Sequence, residues 1–328
     1  MPPPSMTTPA RLSMLDGLRG LAAILVMLFH AGARSPVAMP GGYLAVDLFF
    51  GLSGFVLARA YEDRLRAGLG LAAFLRARLV RVAPMALVGG ALGVALWHGR
   101  PETILLIPDF TSDQNLFPTN PPLWSLLFEL IVNAAWALVA VRIGWRGLLL
   151  VLAISGGVTA EAIWLRGSAT DLGSFWFTAA PGLVRTVFSF TLGVALFRLA
   201  QHCRIAPRRS PLALLLFPAL TAALAFAPEH RAAWDIACIL AIMPALLWLG
   251  ARWELPAPAL GRELGDLSFP LYCIHVPILA LFHGSGAAMA GLLVLLALIA
   301  SALDRWLDRP LRSLMTGLLR PRLSGLPA

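Results

Sequence analysis

The sequence predicts an all-α, polytopic bundle of about ten transmembrane helices with both termini in the cytoplasm, and three observations carry that expectation. Hydrophobic residues make up 59% of the chain against 13% charged, and the mean hydropathy is +0.78; so much apolar surface suits lipid rather than water as solvent. Apolar windows recur along the 328 residues, and at roughly 20 residues per crossing they leave room for about ten spans and no sizeable soluble domain. Arginine, finally, is heavily biased to one side of those windows.

The windows fall near residues 14–33, 43–60, 79–97, 123–141, 147–165, 181–199, 211–227, 232–250, 266–283 and 286–303. This divides the chain into a cytoplasmic tail over 1–13, a membrane domain over 14–303 and a second cytoplasmic tail over 304–328. One side of the windows receives Arg11, the run from Arg59 to Arg81, Arg142, Arg146, Arg198, Arg204, Arg208, Arg209, Arg252, Arg262 and the C-terminal arginines; the other receives only Arg34, Arg100, Arg166 and Arg231. That is the positive-inside pattern, and an odd number of spans would spoil it. The linker Tyr61–Arg78 mixes charge with apolar residues and is expected to lie along the cytoplasmic interface. The loop after Trp97 is long and polar enough to cover a site from the outer side.

The net charge of +9 sits in these short connections, where it orients a membrane protein; nucleic acid is not an expected partner, and membrane lipids are. Cys203, Cys238 and Cys273 have no ligand-like spacing, so neither a metal site nor a disulfide framework is indicated, and all three are read as packing residues. MPPPSMTTPARLSM lacks the charged start and small-residue cleavage site of a leader, so the first apolar segment is expected to be retained.

Ionisable groups inside a span are functional candidates because each costs several kcal/mol, roughly, unless paired or hydrated. The first helix carries Asp16, Arg19 and His30 in LDGLRGLAAILVMLFH. Arg19 and His30 are eleven residues apart, which returns to nearly the same helix face about 16 Å further along. Asp16 and Arg19 read either as a snorkelling interfacial pair or as part of a functional stripe. His30 reads as a hydrogen-bonded core residue or as a base that works near neutral pH. Depth arithmetic gathers Asp47, Glu129, Arg185 and His275 at its level, although carboxylates at helix starts also serve the N-terminal dipole. Arg76, Arg78 and Arg81 enter the third span from the cytoplasm, where they mark the inside or bind a phosphate-bearing ligand.

Six segments in order then resemble one family, the membrane acyltransferase family 3. They are LDGLRGLAAILVMLFH, with Arg19 and His30; GGYLAVDLFFGLSGFVLA; RLVRVAP, with Arg78 and Arg81; PPLWSLLFE, with Trp124, Ser125 and Glu129; LGDLSFPLYCIHVPIL, with Ser268, Leu271, Tyr272 and His275; and RPLR near Arg309. Two departures mark this chain: Ala45 stands where Gly is common, and Leu130, Ile131 and Val132 follow Glu129 where aromatic residues are frequent. Because residue numbering stops at Ala328, the hydrolase-like periplasmic domain appended to some members is not expected.

The resemblance implies transfer of an acyl group, usually acetyl from cytosolic acetyl-CoA, to a hydroxyl of a carbohydrate or lipid-linked glycan at the bacterial inner membrane. Within it His30 is the expected general base, Glu129 orients it or shares its proton, and Arg19 holds the pantetheine or stabilises developing negative charge. Arg78 and Arg81, with Arg76, are the expected donor-phosphate ligands; Asp47, Trp124, Ser125, Arg185 and His275 are expected at the acceptor. The alternative is a transporter or flippase that uses the same charges as a proton relay, against which the absence of an internal repeat counts.

Reporters fused after Arg146 and Arg209 are expected to read cytoplasmic, and reporters around Asp113 and Asp171 periplasmic; a reversed signal at any one of the four breaks the ten-span topology.

Overall fold

The computed structural model describes residues 11–319. The N-terminal stretch read as lacking a cleavable leader lies largely outside these residues, as does the end of the chain from residue 320.

Apolar sequence without a competing strand pattern becomes helix, because only intrahelical hydrogen bonds satisfy the backbone without water. The helices are α1 (Ser13–Ala31), α2 (Ala45–Arg66), α3 (Leu71–Trp97), α4 (Leu123–Val139), α5 (Trp145–Arg166), α6 (Ala179–His202), α7 (Leu216–Ala225), α8 (Arg231–Ala237), α9 (Met243–Arg252), α10 (Pro258–Leu281), α11 (Gly286–Leu303) and α12 (Arg309–Leu318). α8 runs into α9 through a π-helical turn at Cys238–Ile242, and α11 into α12 through another at Asp304–Asp308. Eight of the described helical stretches are long and apolar enough to span a membrane, and Leu123–Val139 and Pro211–Ala225 are shorter apolar helices. The ten expected spans are therefore all present as apolar helices. The one sheet among the described residues is a parallel contact of β1 (Arg208–Arg209) with β2 (Trp253–Glu254).

The segment Tyr61–Arg78 is mostly helical, since α2 continues to Arg66 and α3 begins at Leu71. Within it Glu62 pairs with Arg66 and Arg198, and Arg78 with Glu129. Residues beyond 303 are likewise helical through Leu318. One local expectation is corrected: Cys238 and Cys273 are buried as packing residues, but Cys203 is exposed where α6 ends.

The core is organised by two parallel helix pairs, each zipped by small residues. Along α1 and α10, a Cβ on Gly261 would lie 2.1 Å from the Ser13 carbonyl and one on Gly20 2.3 Å from the Leu264 carbonyl. Along α2 and α6, the same test gives 2.0 Å from Gly54 to the Phe190 carbonyl and 2.0 Å from Gly193 to that of Gly51. Helices in lipid gain little from apolar burial against each other, so close backbone approach through glycine supplies the packing instead.

Proline sets the shape of α10. Pro277 has no N–H to give to the carbonyl four residues back, at Cys273. Asn120 takes that place: its Nδ2 donates to the Cys273 carbonyl at 2.9 Å and to the Gly89 carbonyl at 3.0 Å. The outer loop is thereby pinned to α3 and α10. It is also joined to the segment before α6, where Leu116 N donates to Ser174 O at 3.0 Å and Trp176 N to Gln114 O at 2.8 Å.

Gly54→Ala is expected to cost about 1–3 kcal/mol through backbone overpacking, while Gly157→Ala on α5, where a Cβ would meet nothing within 4 Å, is expected to be neutral or slightly stabilising. Thermal unfolding in detergent checks the contrast; equal midpoints for the two variants contradict the packing argument.

Candidate active site

The parallel run of α1 and α10 aligns two polar stripes. On α10 Gly265, Ser268, Tyr272 and His275 follow one another at helical spacing, facing Asp16, Arg19 and His30 of α1. Near one end Arg19 donates from Nη2 to Asp16 Oδ1 at 2.8 Å and to the Gly265 carbonyl at 3.1 Å, and from Nε to Ser268 Oγ at 3.1 Å. Gly265 permits this: a Cβ there would sit 3.0 Å from the Arg19 guanidinium.

Near the other end the two histidines meet. His275, fully buried, has Nδ1 3.0 Å from the Leu271 carbonyl and Nε2 3.0 Å from His30 Nδ1, which is itself 3.0 Å from the Val26 carbonyl. A carbonyl only accepts, so Nδ1 of His275 carries its proton and, in the neutral ring, Nε2 is the bare nitrogen. His30 Nδ1 then faces two acceptors and must be the donor. The proton of neutral His30 is thereby fixed on Nδ1, and Nε2 keeps its lone pair. That is the tautomer a general base requires.

Between the stripes and α2, α3 and α4 lies a pocket with about 860 Å³ of empty space, part of it continuous with the outside. Arg19, Arg78, Arg81 and Glu129 bring charge to its wall, Ser53, Ser125, Ser268 and Tyr272 hydroxyls, and Phe49, Phe50 and Phe269 apolar surface. Glu129 accepts from Ser53 Oγ at 2.6 Å and from Arg78 Nη2 at 3.1 Å. With its amide oxygen turned toward α3, Asn133 accepts from Arg78 Nε at 3.2 Å. Arg81 lies over the Phe269 ring at 4.9 Å and 3.6 Å from Asp308, and its Nη1 has no hydrogen-bond partner. Three guanidiniums against one carboxylate make the wall cationic, and a buried N–H left without an acceptor suits an anionic ligand. Tyr272 separates the pocket from the histidines: its hydroxyl is 2.7 Å from Ser125 Oγ, and its ring centroid is 5.9 Å from that of His275.

A family model described as an acyltransferase domain matches residues 13–313. The chain belongs to the acyltransferase 3 family. Protein 2 in the picA locus of Rhizobium radiobacter is 37% identical over 190 residues, covering 48% of this chain and 97% of that protein. The acyltransferase MdmB of Streptomyces mycarofaciens is 27% identical over 324 residues, covering 83% of this chain and 80% of that protein. No solved structure matches. Family membership and the apolar helices support a multi-pass membrane acyltransferase.

Within this acyltransferase bundle the candidate residues do not form one cluster. Arg19, Arg78, Arg81, Ser125 and Glu129 line the pocket, and His30 pairs with His275. Glu129 forms no hydrogen bond with His30; its contacts go to Arg78 and Ser53. It also lies beyond the first turn of α4, so the helix-start reading does not apply to it. Asp47 does lie in the first turn of α2, but its carboxylate is consumed. It receives Arg185 Nη2 at 2.6 Å, Arg185 Nε at 3.0 Å and Ser189 Oγ at 2.9 Å, while Arg185 Nη1 donates to the Ala169 carbonyl at 2.9 Å. Both residues are almost wholly buried, at 2% and 1% exposure, so the geometry makes them a clamp between α2 and α6 rather than acceptor ligands. Trp124 packs between Phe50 and Phe128, with its ring over Gly173. Arg76 turns away to the Leu319 carbonyl at 2.8 Å.

Sequence reading missed Ser53, Asn133 and Asp308 at the site. Ser53 lies within the quoted GGYLAVDLFFGLSGFVLA segment and Asp308 directly precedes RPLR, but neither spacing says which guanidinium it meets. A continuous arc of ion pairs joins two walls of the pocket around the outside. Arg19–Asp16, Asp16–Arg11, Arg11–Asp266, Arg309–Asp266 and Arg309–Asp304 lie within 2.8 Å, and the arc closes through Arg312 and Asp308 onto Arg81.

Asp47→Ala is expected to cost about 3–5 kcal/mol by leaving Arg185 buried without its counter-ion. The double change Asp47→Leu with Arg185→Met is expected to recover much of that loss in thermal unfolding; a single variant as stable as the parent shows that the clamp holds nothing.

Proposed function

We propose that this chain is a membrane O-acyltransferase of the bacterial inner membrane, moving an acyl group, acetyl above all, from cytosolic acyl-CoA to a hydroxyl of a cell-envelope or exported carbohydrate. The observation that carries this reading is the fixed tautomer of His30, a base with its Nε2 lone pair free, placed one tyrosine beyond a cationic pocket.

In this reading Arg78 and Arg81 hold the donor's phosphate groups at the cytoplasmic mouth, where guanidinium forks match phosphate oxygens. Phe49, Phe50 and Phe269 keep the pocket wall apolar around the thioester arm. His30 Nε2 takes the hydroxyl proton as the oxygen forms its bond to the acyl carbon; the carbon–sulfur bond breaks, and the imidazolium returns the proton to the departing thiolate. The imidazolium is stabilised by His275, whose bare Nε2 accepts from His30 Nδ1. Arg19 stands closest to the role of steadying negative charge on the pantetheine side, since its Nη1 is not committed to Asp16, Ser268 or Gly265. Glu129 receives the task its contacts allow, holding Arg78 at the pocket wall.

His30→Ala is expected to remove most acyl transfer, because a general base contributes about a hundredfold to ten-thousandfold, while leaving a folded protein in the membrane. The check is transfer of labelled acetyl from acetyl-CoA to envelope glycan in membranes at saturating donor, with mass spectrometry of the glycan from cells with and without the gene. Retention of more than about a tenth of the rate removes His30 from this role. Purified protein that neither hydrolyses nor transfers the thioester favours a transporter.

A further inference from the structure

Arg81 is unusual among the guanidiniums of the pocket. Arg19 and Arg78 are each hydrogen-bonded to a carboxylate, at 2.8 and 3.1 Å. Arg81 makes no side-chain hydrogen bond among the described residues, and it is surrounded by other cations: Arg19 and Arg78 share its pocket, and Arg312 meets the same carboxylate. A cation in that position needs a counter-charge to stay there at all. Asp308 supplies one, 3.6 Å from Nη1. The distance is short enough for strong Coulomb attraction and too long for a hydrogen bond, so the charge is balanced without using the N–H groups.

Asp308 is buried between two guanidiniums, Arg81 and Arg312, and is held by charge alone: neither carboxylate oxygen has a hydrogen-bond partner among the described residues. It is 1% exposed and ends the π-helical turn Asp304–Asp308 that joins α11 to α12. Such turns shift the register of a helix by one residue and re-aim the side chains on it. The turn leaves Asp304 to Arg309 at 2.6 Å and Asp308 to Arg312 at 2.8 Å, so each carboxylate has a second cation that fixes its place.

We propose that Asp308 is the positioning residue for Arg81: it retains the guanidinium at the pocket wall while leaving its N–H groups free for an anionic group of the donor. This rests on reading the pocket as the acyl-CoA site. It also gives a role to α12, which packs against α3 and carries Arg312, the second cation on Asp308.

The test measures the dissociation constant of coenzyme A for full-length protein in detergent, with the thermal midpoint of each variant read alongside. Arg81→Gln is expected to weaken binding about tenfold, the effect of losing a charged hydrogen bond. Asp308→Asn is expected to weaken it by a similar factor, and Asp304→Asn, which touches Arg309 and Arg312 but not Arg81, by less than about twofold. Arg81→Gln with Asp308→Asn is expected to bind no worse than Arg81→Gln alone, because a residue acting through Arg81 has nothing left to position. Asp308→Glu, which keeps the charge, is expected to rescue most of the affinity. If Arg81→Gln weakens binding but Asp308→Asn leaves it unchanged or tighter, or if the double change loses both factors, the positioning role is overturned and the donor site stands. If Arg81→Gln binds coenzyme A as the parent does, the donor assignment of Arg81 falls and this inference with it. Should Asp308→Asn fail to fold, the comparison of Arg81→Gln with the double change, which removes both charges together, decides alone.

Discussion

A charge in the hydrocarbon layer must have a partner, and most of this bundle can be read as the working out of that constraint. Asp47 and Arg185 satisfy it completely, with every strong hydrogen bond turned inward on each other and on Ser189 and the Ala169 carbonyl. Pairing of that kind stabilises but leaves nothing to offer a ligand. Arg78 and Glu129 satisfy it while still lining the pocket. Arg81 satisfies it only through a distant carboxylate. The series runs from structural clamp to available site, and the degree of hydrogen-bond saturation tells one from the other where charge alone does not.

The histidines follow a second constraint, the directionality of hydrogen bonds. A neutral imidazole has one donor and one acceptor, and the two helix carbonyls at Val26 and Leu271 dictate which nitrogen is which. The tautomer of His30 is therefore set by backbone geometry four residues upstream in each helix. It depends on α1 and α10 running parallel at a separation that glycines at positions 20, 261 and 265 make possible. A larger residue at any of these would move the stripes apart and dissolve both the Arg19–Ser268 contact and the histidine pair.

Much of this was legible in the chain itself. Ten apolar helices, the stripe of Asp16, Arg19 and His30, and the choice of Arg78, Arg81, Ser125 and Glu129 as candidates follow from hydropathy, helical period and resemblance to a family that the whole domain matches; that these four line one pocket does not. Element edges were read less well. The helical segments 61–66, 71–78 and 258–265 that flank the apolar windows carry charge or proline, which looks like a break in hydropathy, although the backbone remains helical and charges such as Glu62 and Arg78 find partners across the bundle.

What the sequence determined by itself is local and additive: which segments enter the membrane, which residues share a helix face, and which charges are out of place there. What only the tertiary structure decided is pairing. Depth placed Asp47, Glu129, Arg185, His30 and His275 together, but depth is one coordinate, and rotation about each helix axis supplies the other. It turns Asp47 to Arg185, Glu129 to Arg78 and His30 to His275. Those rotations are set by which small residues let which backbones touch, a property of two helices at once that neither segment contains alone.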